Sequence, residues 1–110
     1  MKAIIWMGAS RDALIGFPPG ARRDAGYQLH RVQCGEEPSD WKPLISVGPS
    51  VREIRIWDDS GTFRVVYLAT RPEAIYVLHC FQKKTAKTPR RVVESVRRRL
   101  KSILDDGSDR

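Results

Sequence analysis

The chain has 110 residues, 41% of them hydrophobic and 30% charged, which reads as one soluble globular domain spanning 1–110. That length is too short for a two-lobed enzyme, and no apolar run approaches the roughly 20 residues of a membrane span. The net charge of +7, from 20 Lys and Arg against 13 Asp and Glu, points instead to an anionic partner.

Residues 2–7 (KAIIWM) are a short apolar run with β-branched members, which predicts a strand. Ser10 is placed to cap a short helix over 10–15, with Asp12 in its first turn. Gly16-Phe17-Pro18-Pro19-Gly20 breaks the chain, and 21–34 reads as a second helix. Its apolar face is Ala21, Ala25, Leu29 and Val32, and Gly35 is a natural stop. Together the two form a helical hairpin. Residues 36–50 hold three prolines and predict a loop with extended pieces.

Three strands follow. Residues 51–57 alternate apolar with charged, but Val51 is out of register with Ile54 and Ile56. Asp58-Asp59-Ser60-Gly61 is a hairpin turn. Residues 62–69 form the second strand, and 70–73 the next turn. Residues 74–81 are the most continuously apolar, which predicts a central strand. Thr88-Pro89 starts a last helix with the stripe Val92, Val93, Val96, Leu100, Ile103 and Leu104. Residues 105–110 are a polar tail, with 106–110 frayed. The order β-α-α-β-β-β-α predicts an α+β domain: a largely antiparallel sheet with a helical hairpin and a C-terminal helix.

The positive charge is concentrated. Between Lys83 and Lys101 there are nine cations and one anion, Glu94, and the rest of the chain is close to neutral. Such a segment repels itself, and a polyanion relieves that repulsion by displacing counterions. Nucleic acid is the leading partner, ahead of a membrane surface or an acidic protein. The N-terminus lacks a long apolar segment with a small-residue cleavage site, so a cytoplasmic protein is expected. Cys34 and Cys80 are expected to be small buried hydrophobes kept reduced. With only His30 and His79 beside them, no metal site and no cofactor is expected.

No phosphate-binding glycine loop, carboxylate pair or Ser/His/Asp motif is present, so any catalysis must rest mostly on cations. Glu36, Glu37 and Asp40 read as solvated loop anions. Glu53 and Arg55 share one strand face by alternation. Arg64 stands between Phe63 and Val65, so its head must reach a partner or a groove, and pairing with Glu53 or Asp58 across the hairpin would not exclude a role in the site. His79 is either a satisfied core histidine or part of the site. The third strand runs into Lys83-Lys84-Thr85-Ala86-Lys87, which would rim an anion cleft. Arg90, Arg91, Arg97, Arg98 and Lys101 lie opposite the apolar stripe of the last helix, as a solvated face or a docking surface.

These residues carry a resemblance. Phe17-Pro18 with Arg22, then Leu29-x-x-Val32-Gln33-x-Gly35, then Pro38-x-Asp40-x-Lys42-Pro43-Leu44 form its first half. The second half is Val51-Arg52-Glu53-Ile54-Arg55-Ile56, Phe63-Arg64-Val65-Val66-Tyr67, and Val77-Leu78-His79-x-Phe81-x-Lys83-Lys84-Thr85-x-Lys87-Thr88-Pro89. Over about residues 3–100 the chain resembles the RelE/ParE toxin superfamily, in its phage-related, HigB-like branch.

The resemblance implies the toxin of a type II toxin–antitoxin system, an endoribonuclease cutting messenger RNA, often on the ribosome and without metal. The implied chemistry is attack of a ribose 2′-hydroxyl on the adjacent phosphate. By position, Arg64 resembles the family's phosphate-clamping arginine, Arg55 and Glu53 its positions on the preceding strand, and Lys83 and Lys84 its cations after the last strand. RNA binding would fall to Lys87, Arg90, Arg91, Arg97, Arg98, Lys101 and His79. The implied partners are mRNA, the ribosome and a cognate antitoxin, a helix-turn-helix DNA-binding protein. ParE-like relatives share the fold but inhibit DNA gyrase, and a non-catalytic nucleic-acid-binding module is the third reading.

Overall fold

The computed structural model describes residues 1–48 and 50–108, with side chains to 105. The order is β1 (Ala3–Trp6), α1 (Ser10–Ile15), α2 (Pro19–Gln33), β2 (Trp41–Pro43), β3 (Val51–Asp58), β4 (Gly61–Leu68), β5 (Ala74–Lys83) and α3 (Arg90–Ser108). The α+β expectation holds, with one strand more than expected. β2 forms inside the proline-rich stretch because Trp41–Pro43 pairs with Arg52–Ile54 of β3.

The five strands lie in the order β1-β5-β4-β3-β2. β3, β4 and β5 make the expected antiparallel meander, and β1 adds parallel to β5. The central strand is therefore β4 rather than 74–81. β5 is apolar because it too is an inner strand, flanked by β1 and β4.

Helices cover both faces of the sheet. On one face, Leu14, Phe17, Ala21, Ala25, Leu29 and Val32 pack on Ile54, Ile56, Phe63, Val65, Tyr67, Ile75, Val77 and Cys80. On the other, Val92, Val96 and Ile103 of α3 pack on Val51, Val66, Leu68 and Leu78. This resolves the odd register of Val51, whose side chain belongs to the second core. Two buried faces also explain why β4 and β5 read as continuous apolar runs.

Local details differ from the sequence reading for physical reasons. Ser10 does not cap α1; its buried hydroxyl donates to the Val77 carbonyl and ties α1 to β5. α2 starts at Pro19 rather than 21, since proline suits the first helical turn. α3 runs on to Ser108, past the expected start of the tail at 105, and 109–110 lie outside the described residues. Cys80 is buried and its thiol is pushed up to about 12 by that burial, whereas Cys34 is exposed. Among the described residues no helix is long and apolar enough to cross a membrane.

The most consequential detail is a bulge in β5. Val66 pairs with His79 and Tyr67 pairs with Val77, which leaves Leu78 without a partner. A single extra residue reverses the alternation of the strand. Tyr76 and Leu78 face α3 before the bulge, and His79, Phe81 and Lys83 take that face after it. Arg99 of α3 braces this point. Its Nη1 donates to the Leu78 carbonyl at 2.6 Å and lies 3.0 Å from His79 Nδ1.

Gly8, with φ of +54°, makes room for that brace: a Cβ there would meet the Arg99 guanidinium at 2.5 Å. Arg99→Ala is therefore expected to cost about 1.5–3 kcal/mol, the usual range for a hydrogen bond to a charged group. Gly8→Ala adds a left-handed backbone penalty of about 1–2 kcal/mol and displaces the same guanidinium. Urea denaturation of both variants and the pair checks this. The double variant should cost clearly less than the sum.

Candidate functional site

The face under α3 carries the cations. Register places Trp57, Thr62 and Lys83 in one row across β3, β4 and β5. Arg55, Arg64 and Phe81 form the next row, and Glu53, Val66 and His79 the third, extended by Lys42 of β2. The core of α3 covers the Val51, Leu68 and Leu78 end of this face. At the other end Arg55, Trp57, Thr62, Phe81 and Lys83 keep contact with solvent.

Arg55 and Arg64 stand directly opposite each other, which is unfavourable for like charges unless each finds an anion. Both do. Arg64 is only 7% exposed, and its Nε lies 3.1 Å from Oε1 of Glu53, which is 0% exposed. That contact is an ion pair by distance but is misaligned for a hydrogen bond. Arg64 Nε and both Glu53 oxygens are buried with no hydrogen-bond partner among the described residues. Lys42 Nζ lies 3.9 Å from the same Glu53 oxygen. Of the two partners expected across the hairpin, Glu53 rather than Asp58 is the one Arg64 meets.

Arg55 binds Asp40, with Nη2 and Nε at 2.7 and 2.9 Å from Oδ1. Trp57 Nε1 donates to Oδ2 of the same carboxylate at 2.6 Å. The Trp57 hydrogen bond and then Arg55 hold Asp40 below the usual carboxylate range. The expectation that Asp40 is a solvated loop anion is thus wrong. The Arg55 amide also donates to the Asp40 carbonyl, which seats the loop on β3. Asp40, Lys42 and Trp57 belong to the constellation without having been singled out for it. The hints in the sequence were that Asp40 and Lys42 stand in one motif of the resemblance and that Trp57 shares strand parity with Glu53 and Arg55.

Lys83, at the end of β5, is partly buried. Its pKa is lowered by desolvation first, then by Lys42, Arg64 and Arg55, with Glu53 opposing. A crowded lysine of this kind loses its proton more readily than a free one. Lys84 and Lys87 sit in the exposed connection after the Lys83 end of the sheet.

His79 is half-buried, and its pKa falls through burial and then through Arg99 and Arg91. Arginine can only donate, so His79 Nδ1 accepts from Arg99 and the neutral ring carries its proton on Nε2. His79 therefore offers a hydrogen bond rather than a positive charge. It lines a groove of about 310 Å³ with Phe81, Gln82, Pro89, Arg91 and Val92, between the end of β5 and the first turns of α3.

The cations of α3 are not equivalent. Arg90 pairs with Glu94, and Arg97 donates to the Ser46 carbonyl, fastening the loop before β3. Arg91, Arg98 and Lys101 are exposed.

No curated protein sequence matches the chain. Residues 12–101 match the family model described as phage-derived protein Gp49-like (DUF891), a span that includes every residue of the constellation above. The chain therefore belongs to the Gp49-like phage-derived protein family, a RelE-toxin-like family.

Proposed function

We propose that the protein is the toxin of a type II toxin–antitoxin pair, in the HigB-like branch, and that it cuts messenger RNA in association with the ribosome. The observation carrying this reading is the open end of the α3 face. There Arg55 and Lys83 are solvent-accessible, Arg64 opposite Arg55 is buried, and Lys83 is held below its ordinary range.

Such a site suits phosphoryl transfer to an internal hydroxyl. Neutral Lys83 takes the proton of the ribose 2′-hydroxyl as the O2′–P bond forms. The P–O5′ bond breaks, and the departing oxygen takes a proton from a neighbouring ammonium, for which Lys84 stands at the same strand end. The products are a 2′,3′-cyclic phosphate and a 5′-hydroxyl. Arg55 meets the phosphate directly, and Arg64, whose charge Glu53 partly compensates, adds the positive field that remains. Lys87, Arg91, Arg98 and Lys101 extend the basic surface toward RNA or ribosome. The cognate antitoxin, a helix-turn-helix DNA-binding protein, neutralises this charge.

Inducible expression followed by mapping of RNA 5′ ends tests the reading. New 5′-hydroxyl ends within coding sequences are expected on induction of the wild type, and none with Lys83→Met. Growth arrest with topoisomerase inhibition and no new RNA ends would overturn it in favour of a ParE-like activity.

A further inference from the structure

Trp57 is 62% exposed on the face that carries the site. An indole in that position is ordinarily free to turn. This one is held, because Nε1 donates to Asp40 Oδ2 at 2.6 Å while the other oxygen of Asp40 grips Arg55. One carboxylate thus fixes the ring and the guanidinium relative to each other. The indole N–H is satisfied, so what remains for a ligand is the apolar ring.

Its surroundings are those of a nucleotide site. Trp57 is one alternate-residue step from Arg55, roughly 7 Å along the strand. Across Thr62 it faces Lys83, two strand spacings or about 10 Å away. Arg64 Cζ lies 5.9 Å from the ring centroid. Tyr27, another exposed aromatic among the described residues, is on α2 behind the opposite face.

We infer that Trp57 is the base-binding platform of the site: a nucleobase of single-stranded RNA stacks on its ring while the adjoining phosphate lies against Arg55 and Lys83. The inference rests on the RNA-cleaving reading above. Every base has a π-face, so the platform tolerates many sequences and contributes affinity and alignment rather than a code. A ring already fixed by Asp40 loses little freedom on binding, which favours a tight fit. Asp40 is the positioning residue of this platform.

The test uses a short 2′-O-methyl RNA, which binds but lacks the attacking hydroxyl, and a set of the same oligonucleotides with one abasic position each. Trp57→Ala is expected to weaken the intact oligonucleotide between about 5- and 150-fold, the range for one stacked base. One abasic position should weaken the wild type similarly and the Trp57→Ala variant no further. Trp57→Phe keeps a ring and should retain most of the affinity. Asp40→Ala frees the ring and should lose part of it. The exposure of Trp57 leaves the fold intact on substitution, which circular dichroism checks.

Suppose the wild type cuts RNA, yet Trp57→Ala binds intact and abasic oligonucleotides with wild-type strength. The platform is then wrong and the cleavage reading stands. A wild type that neither binds nor cuts RNA overturns the cleavage reading and the platform with it.

Discussion

Lys83→Met is expected to slow single-turnover RNA cleavage by about 10²–10⁴-fold, the usual contribution of a positioned general base. The argument starts from the strand. The bulge at Leu78 turns Lys83 onto the Arg64 face, where burial and then Lys42, Arg64 and Arg55 lower its pKa. A base acts only when deprotonated. The wild-type rate should therefore climb with pH and level off below the pH at which an ordinary lysine titrates. Lys83→Arg keeps a cation that does not give up its proton, so it should bind RNA and lose both the rate and the rise with pH.

Stability supplies the control. A lysine whose folded pKa lies below its unfolded value destabilises the fold while protonated. That penalty is fully present below the folded pKa and disappears as pH rises past the unfolded value. Removing the charge in Lys83→Met should therefore leave the melting temperature at pH 7 unchanged or higher. An unchanged cleavage rate in a folded Lys83→Met protein would remove Lys83 from the chemistry.

Arg64→Ala is expected to destabilise the protein by about 3–5 kcal/mol, measured by urea denaturation at neutral pH. Glu53 is 0% exposed and neither of its oxygens has a hydrogen-bond partner among the described residues, so its charge is compensated by Arg64 at 3.1 Å and Lys42 at 3.9 Å. Deleting Arg64 leaves that carboxylate with the longer of the two contacts. Replacing both partners together, as Glu53→Leu with Arg64→Met, removes the buried charges and should recover most of the loss. An Arg64→Ala protein as stable as the wild type would mean that water already compensates Glu53. This prediction also changes how Arg64 variants are read. A loss of cleavage there can come from unfolding, whereas at Lys83 it cannot.

Much of this protein was legible in its sequence. The alternation of Ile54 and Ile56, the Asp58–Gly61 turn, the apolar stripe of α2 and the Thr88-Pro89 start each determined a local element, because each depends on short-range spacing and turn chemistry. The shared parity of Glu53 and Arg55 was readable in the sequence, and the register sets Arg64 and Lys83 on that same face. Tertiary structure decided what depends on distant partners. β2 exists only because β3 offers it an edge, and β1, the first strand of the chain, pairs in parallel with β5, the last.

Asp40 looked like a solvated loop anion because nothing in its neighbourhood shows that Arg55 and Trp57 will close on it from β3. For Arg64 the sequence offered Glu53 or Asp58 as partner, and only the pairing of β3 with β4 chose Glu53. The bulge is the clearest case. Residues 74–81 read as one uniform apolar run, so their alternation carries no mark of the reversal at Leu78. Only pairing against β4 and the brace from Arg99 set it, and with it the face on which Lys83 lies.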